Sequence, residues 1–147
     1  MVMSRPDSSA EDNRHHTTVL VVEDEILIRA AVAEYLRKSG YTVVEAADAA
    51  EAIAVFASGE PIDVVICDVD MPGTMDGLDL ARWIKQHHCT LPVLLTSGRG
   101  IAVPPAERLA PFFVSKPYRL QVLAEHLKLM LASRNSAADD RPEPEPR

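Results

Sequence analysis

Short apolar runs alternate with amphipathic stretches through the middle of the chain. The runs are rich in β-branched residues and nearly free of polar ones, which is typical of strands buried on both faces of a sheet. We predict strands at residues 18–22, 41–44, 64–67, 92–95 and 112–114. Strands that alternate with helices favour a doubly wound parallel sheet, with right-handed crossovers and helices on both faces.

Helices are predicted where apolar residues recur every three or four positions. The first helix carries the stripe Ile28, Val32, Tyr35 and Leu36, and Gly40 ends it by supplying a left-handed cap. A second helix begins at the predicted N-cap Asp48, with Glu51 completing a capping box, and ends at Ser58-Gly59. A third helix is predicted at residues 78–87, and the last follows Pro117, with leucines at positions 120, 123, 127 and 131.

The ends of the chain differ in composition from its middle. Residues 1–16 are polar with almost no large apolar side chains, and residues 135–147 alternate proline with charge, so we predict a disordered tail at each end. The folded domain is predicted to span residues 17–134. Within it, residues 98–111 are rich in glycine and proline, so a fourth helix there is expected to be short or irregular.

Composition and charge exclude several classes of protein. Of 147 residues, 47% are hydrophobic and 25% charged, as in an ordinary globular domain. The net charge of −7 argues against a nucleic-acid or membrane partner, and no apolar run approaches the length of a membrane span. Because Cys67 and Cys89 are too few for a disulfide framework, we expect a reduced, cytoplasmic protein.

Polar residues that can take part in catalysis or metal binding follow the predicted strands. Glu23-Asp24 follow the first strand, Asp68 the third, Thr96 the fourth and Lys116 the fifth. The carboxyl ends of parallel strands meet at one edge of the sheet, so these side chains are expected to converge. Two like charges about 4 Å apart repel by roughly 4 kcal/mol at an effective dielectric constant near 20, which favours a bound cation among the carboxylates. Carboxylate oxygens suit Mg²⁺, and a cation beside a lysine, a hydroxyl and a nucleophilic carboxylate can handle a phosphoryl group.

Four sequence blocks resemble the signature blocks of response-regulator receiver domains. They are VLVVEDE at residues 19–25, VVICDVDMPG at 64–73, LLTSG at 94–98 and VSKPY at 114–118. The resemblance implies a flavodoxin-like (βα)5 fold with strand order 2-1-3-4-5. It also implies that Asp68 accepts a phosphoryl group, while Thr96 and Lys116 contact its oxygens.

The same resemblance implies a metal site and a switch. Mg²⁺ would be held by Glu23, Asp24, Asp68 and the backbone carbonyl of Asp70, and Phe113 matches the switch aromatic of the family. The phosphate's contacts would then shift a population between two pre-existing states.

The chain departs from the family pattern at several positions. Glu23 replaces the usual aspartate, and the turn at residues 72–77 is one residue longer than its commonest form. Asp70 adds a negative charge near the nucleophile, which could slow an incoming anion or change the lifetime of the phosphoryl group.

We therefore expect a stand-alone phosphoacceptor switch rather than an enzyme, with at most slow autodephosphorylation. Its donor would be a sensor histidine kinase or a histidine phosphotransfer protein, and its output a partner protein or the next carrier of a phosphorelay. Few residues follow the last predicted helix, so no DNA-binding output domain is expected. Two alternatives stay open: a phosphorylation-independent adaptor with this fold, and a haloacid-dehalogenase-type phosphatase that uses Asp68 and Asp70 as a DxD motif. His87-His88-Cys89 lacks a second ligand pair and is interpreted as a surface helix end.

Overall fold

Five strands and four helices make up the described part of the chain. The computed structural model of the protein describes residues 17–98 and 112–139. In chain order the elements are β1 (Thr18–Val22), α1 (Ile26–Lys38), β2 (Thr42–Ala46), α2 (Ala49–Ala57), β3 (Val64–Asp68), α3 (Gly77–His87), β4 (Val93–Ser97), β5 (Phe112–Ser115) and α4 (Leu120–Asp139).

All five strands lie in one sheet with the order β2-β1-β3-β4-β5, and each neighbouring pair is parallel. This arrangement confirms the predicted doubly wound α/β fold and its strand order 2-1-3-4-5. The chain moves outward from β1 to β2 and then returns to the other side of β1 to form β3. In such sheets the crevice beyond the carboxyl ends, where the order reverses, is the usual place for a ligand site.

The core has two layers, one on each face of the sheet. Successive residues of a strand point to opposite faces, so Val19 and Val21 of β1 pack on the side covered by α1 and α4. Leu20 and Val22 pack on the side covered by α2 and α3. Because β1 is buried along its whole length, its near-continuous hydrophobicity has a direct structural cause.

The predicted end signals of α1 and α2 and the N-cap of α2 are present, but the predicted capping box at Glu51 is not complete, because the Glu51 carboxylate accepts from Ala47 N at 3.2 Å instead of from Asp48 N. Gly40 follows α1 with φ of 100°, and Gly59 follows α2 with φ of 81°, a region in which a Cβ atom is strained. The Asp48 carboxylate accepts a hydrogen bond from Glu51 N at 2.8 Å, as an N-cap does. A full capping box, in which Asp76 and Asp79 bond each other's backbone N–H groups, begins α3 instead and was not predicted from the sequence.

Several element bounds differ from the prediction. Strand β4 begins one residue later than predicted and continues through Ser97, so Thr96 lies within it rather than after it. Helix α4 continues to Asp139, past residue 134. The predicted irregular helix, apart from Gly98, lies outside the described residues, as do residues 1–16 and 140–147. Within the described ranges, no helix combines the length and the apolar character that crossing a membrane requires.

Candidate functional site

The carboxyl edge of the sheet brings together side chains from four strand ends. Glu23 and Asp24 follow β1, Asp68 is the last residue of β3, and Lys116 follows β5. Thr96 lies in β4 directly opposite Asp68 in the strand register. Glu23 and Asp68 are each only 3% exposed, and Thr96 is 2% exposed. Three polar groups are therefore buried at one edge, in a protein whose other buried residues are mostly apolar.

Lys116 joins two of the buried acids. Its ammonium lies 2.7 Å from Glu23 Oε1 and 3.1 Å from Asp68 Oδ2. The Lys116 side chain is only 17% exposed, so these ion pairs are shielded from bulk water. Charged hydrogen bonds in such surroundings are stronger than those between neutral groups. The predicted meeting of residues 23, 68 and 116 is thus a feature of the structure.

Three carboxylates form a compact acidic cluster. Glu23, Asp24 and Asp68 each offer one oxygen, and these oxygens all lie within 4.8 Å of one another. Glu23 Oε2 also accepts the backbone N–H of Glu25 at 3.2 Å, and Asp68 Oδ1 accepts that of Asp70 at 3.1 Å. Two of the three acids are therefore fixed both by an ammonium and by a backbone donor.

The cluster carries more negative charge than Lys116 can balance. Burial, helped by the charge of Asp68 and opposed by the hydrogen bond from Lys116, raises the pKa of Glu23 to about 7. Burial alone would lower the pKa of Lys116, but its bonds to Glu23 and Asp68 outweigh that effect and raise it. A divalent cation would supply the missing positive charge, and three hard oxygen donors at this spacing fit Mg²⁺.

The Asp70 carboxylate makes contacts that differ from those of the acidic cluster. Its carboxylate oxygen Oδ2 accepts hydrogen bonds from Ser97 Oγ at 2.9 Å and from Gly98 N at 3.2 Å. The side chain thereby links the loop after β3 to the end of β4. The sequence indicated only an extra negative charge here, because a hydrogen bond from residue 97 to residue 70 depends on the register of the two strands.

Gly77 fixes the start of α3 against the end of β3. A Cβ atom at this position would overlap the carbonyl oxygen of Asp68 and lie 2.6 Å from the Cα of Val69. The Gly77 N–H also donates to the Val69 carbonyl at 3.1 Å. The close approach holds the backbone that carries Asp68, and the sequence alone did not single out this glycine.

The other residues noted in the sequence do not belong to the acidic cluster. Phe113 pairs with Leu95 in the strand register and is half-buried against the layer formed by α2 and α3. Cys67, which precedes Asp68 in β3, is fully buried and packs in the core as a small apolar side chain does. His87 stacks on Trp83 with ring centroids 4.4 Å apart, and His88 stacks on Phe56 at 4.6 Å.

Comparison with known proteins agrees with this geometry. Residues 19–128 match the family model of the response regulator receiver domain. The chain is 37% identical over 131 residues to the sensor kinase CckA of Brucella abortus (strain 2308), covering 83% of this chain and 13% of that protein. The chain spans between 13% and 54% of the length of the first curated relatives that it matches.

Two solved structures have a similar fold, and the match covers nearly the whole of each of those chains. The receiver domain of NtrX from Brucella abortus has a TM-score of 0.71 and 36% identity, over 78% of this chain and 98% of that one. The response regulator TrrA from Thermotoga maritima, solved in complex with Mg(2+)-BeF, has a TM-score of 0.71 and 30% identity over the same shares. With most of the chain matched by the family model, the protein belongs to the response regulator receiver domains of two-component systems.

Proposed function

We propose that the protein is a phosphoacceptor switch in which Asp68 receives a phosphoryl group. The observation that carries the proposal is the buried Asp68 carboxylate, ion-paired with Lys116 and clustered with Glu23 and Asp24. The donor would be a phosphohistidine of a sensor histidine kinase or of a histidine phosphotransfer protein. One relative by sequence, CckA, is itself named a sensor kinase.

The proposed transfer is a displacement at phosphorus. An oxygen of the Asp68 carboxylate forms a bond to phosphorus as the bond between phosphorus and the donor's imidazole nitrogen breaks. The electron pair of that bond stays on the nitrogen, which then takes a proton from solvent. The phosphoryl group would be removed by slow hydrolysis. Water attacks phosphorus, the Asp68 carboxylate departs as the leaving group, and inorganic phosphate is released.

Mg²⁺ would be held by Glu23, Asp24, Asp68 and the backbone carbonyl of Asp70. When bound, it would neutralise charge on the phosphoryl oxygens. The acidic cluster supports this assignment by its spacing and its excess of negative charge. The complex of the similar TrrA with Mg(2+)-BeF supports the same cofactor here.

Lys116 and Thr96 would contact the phosphoryl oxygens. In the structure the Lys116 ammonium already bonds Asp68, so a phosphoryl group on Asp68 would arrive beside it. Lys116 would have to share or leave its bond to Glu23 to make that contact. Phe113 would act as the switch aromatic, turning inward as the Thr96 hydroxyl moves toward the phosphate.

The output would be a partner protein or the next carrier of a phosphorelay, in the cytoplasm. We propose that this domain makes no nucleic-acid contact of its own, in keeping with the chain's acidic net charge of −7. Membership of the receiver family leaves the phosphatase interpretation without support. The phosphorylation-independent adaptor remains the alternative against which the proposal is tested.

The test is the mass of the intact protein after incubation with acetyl phosphate and Mg²⁺. We expect one phosphoryl group per chain in the wild type and none in Asp68→Asn. Asp63→Asn is the matched control, because Asp63 lies before β3 at the opposite edge of the sheet and is expected to leave phosphorylation unchanged.

Binding of the histidine donor protein and of any partner protein then distinguishes a phosphorylation-dependent switch from an adaptor. A switch binds its partner differently before and after phosphorylation, whereas an adaptor binds equally in wild type and Asp68→Asn. An unmodified wild-type protein, or a phosphoryl group that persists in Asp68→Asn, would refute the phosphoacceptor assignment.

A further inference from the structure

Asp70 contacts both sides of the crevice at once. Its backbone N–H donates to Asp68 Oδ1 at 3.1 Å, so its main chain is bound to the candidate nucleophile. Its side chain accepts from Ser97 Oγ and Gly98 N, the two residues that follow Thr96. One residue thus connects Asp68 with the segment that carries the candidate phosphoryl-binding hydroxyl.

The backbone around this connection is fixed by hydrogen bonds of the sheet up to Ser97. Val69 N donates to the Thr96 carbonyl at 2.8 Å, and Lys116 N donates to the Ser97 carbonyl at 2.8 Å. Beyond Ser97 the strand ends, and the Asp70 carboxylate meets the chain where the ladder stops. Ser97 is fully buried, so its hydroxyl bond to Asp70 is protected from competing water.

We propose that the Asp70 carboxylate is a positioning group that holds the turn after Thr96 in the unphosphorylated state and releases it on phosphorylation. The inference rests on the proposed function of Asp68. We call the bonds from Ser97 Oγ and Gly98 N to Asp70 the Asp70 latch.

Electrostatics supplies the reason for release. Phosphorylation replaces the single negative charge of the Asp68 carboxylate with nearly two on the acyl phosphate, a net gain of about one, and like charges repel more strongly where they are partly buried. The Asp70 backbone N–H donates to the Asp68 carboxylate, so the Asp70 side chain is held on the residue whose main chain contacts the added charge. Phosphorylation would therefore weaken the latch.

Linkage then fixes the direction of the effect. If phosphorylation weakens the latch, the latch must oppose phosphorylation by the same free energy. Linkage governs equilibria, and the effect extends to the rate because, under the proposal, the latch is already released in the transition state of the transfer. A variant without the latch would then take up phosphate faster and would keep the same requirement for Mg²⁺ and Asp68. The rival explanation is that Asp70 acts only through its charge, which repels an incoming anion with no help from Ser97.

Ser97 distinguishes these explanations because replacing it changes no charge. The experiment compares the initial rate of phosphorylation by acetyl phosphate and Mg²⁺ in wild type, Ser97→Ala, Asp70→Ala and the double variant. Neither substitution removes the backbone carbonyl of Asp70. Ser39→Ala is the matched control, since its hydroxyl bonds the Tyr35 carbonyl at 2.9 Å on α1 and leaves the latch intact.

For a latch we expect Ser97→Ala to raise the rate about fivefold, the lower end of typical coupling between sites. Asp70→Ala should raise it at least as much, and the double variant should be no faster than Asp70→Ala alone. Ser39→Ala should match the wild type. The unfolding temperatures serve as a check, because a merely weakened fold would not accelerate phosphorylation.

A wild-type rate in Ser97→Ala would overturn the latch, whatever Asp70→Ala does. Additive effects of the two substitutions would overturn it as well, because they would then act independently. Failure of the proposed function looks different: the wild-type protein would gain no phosphoryl group, and Asp68→Asn would behave in the same way.

Discussion

The ammonium of Lys116 lies 2.7 Å from the carboxylate of Glu23, although the two residues are 93 positions apart in the chain. The same ammonium bonds Asp68, so the residue that follows β5 is ion-paired with the carboxyl ends of β1 and β3. A buried ion pair of this kind gives little net stability as a whole, but the loss of one partner is costly because the other charge stays buried.

Lys116→Met is therefore expected to lower the free energy of unfolding by about 3 kcal/mol without Mg²⁺. The substitution keeps the length of the side chain and leaves the carboxylates of Glu23 and Asp68 without their ammonium. Urea denaturation measures the loss. Lys38→Met is the control, because its pair with Glu34 is exposed and is expected to contribute less than about 1 kcal/mol. Equal effects of the two substitutions would contradict the ion-pair argument.

Magnesium is expected to stabilise the folded protein through the acidic cluster. A ligand that binds only the folded state at about one hundred times its Kd adds about 2.7 kcal/mol to the free energy of unfolding. Adding Mg²⁺ should raise the unfolding temperature of the wild type, and a chelator should reverse the rise. Asp24→Asn and Asp68→Asn should lose the response.

Glu25→Gln provides the control for the metal experiment. Glu25 is exposed and lies next to the cluster without belonging to it, and its backbone N–H to Glu23 is unaffected by the substitution. We expect this variant to respond to Mg²⁺ as the wild type does. A response that disappears in Glu25→Gln but survives in Asp24→Asn would place the metal elsewhere.

Gly77→Ala is expected to destabilise the protein by about 1–3 kcal/mol, because the new Cβ would overlap backbone atoms of Asp68 and Val69 that cannot move aside. Phosphorylation of Asp68 should slow as well, since the backbone that carries it is displaced. Gly98→Ala is the control, because its Cβ would meet only the Cβ of Lys116 at 4.0 Å, an ordinary contact. Similar stability losses in both variants would argue against the steric explanation.

The two cysteines are expected to react very differently with iodoacetamide. Cys89 is exposed, whereas Cys67 is fully buried, and burial raises the pKa of its thiol. Mass spectrometry of the native protein should find one carbamidomethyl group, and both cysteines should be modified in urea. Cys89→Ser should remain unmodified when native. Rapid labelling of Cys67 in that variant would show that the edge of β3 opens readily.

The sequence predicted the architecture because the pattern of burial is local. Four of the five residues of β1 are apolar and the fifth, Thr18, is β-branched, so the strand could be predicted from five adjacent residues. The alternation of its side chains between the two faces of the sheet then accounts for both core layers. The meeting of Glu23, Asp68 and Lys116 also followed, since any parallel sheet carries strand ends to one edge.

Contacts that depend on the exact pairing of the strands, or on the length and direction of side chains, could not be predicted in the same way. The bond from Ser97 to Asp70 requires the exact pairing of β3 with β4 and a particular side-chain direction. The bond from Lys116 to Glu23 depends on how far each side chain extends. Gly77 is constrained by a backbone contact across a turn, for which composition gives no signal.

The strand order holds the carboxylates of the crevice on inner strands and the ammonium of Lys116 next to an outer strand. β1 and β3, which carry the carboxylates, have neighbours on both sides, whereas β5, which precedes Lys116, is an outer strand. Outer strands separate more easily than inner ones during native-state breathing. When β5 separates from β4, the carboxylates of Glu23 and Asp68 stay together while the ammonium of Lys116 moves away. Each such fluctuation leaves the carboxylates without their counter-charge and accessible to solvent and to cations.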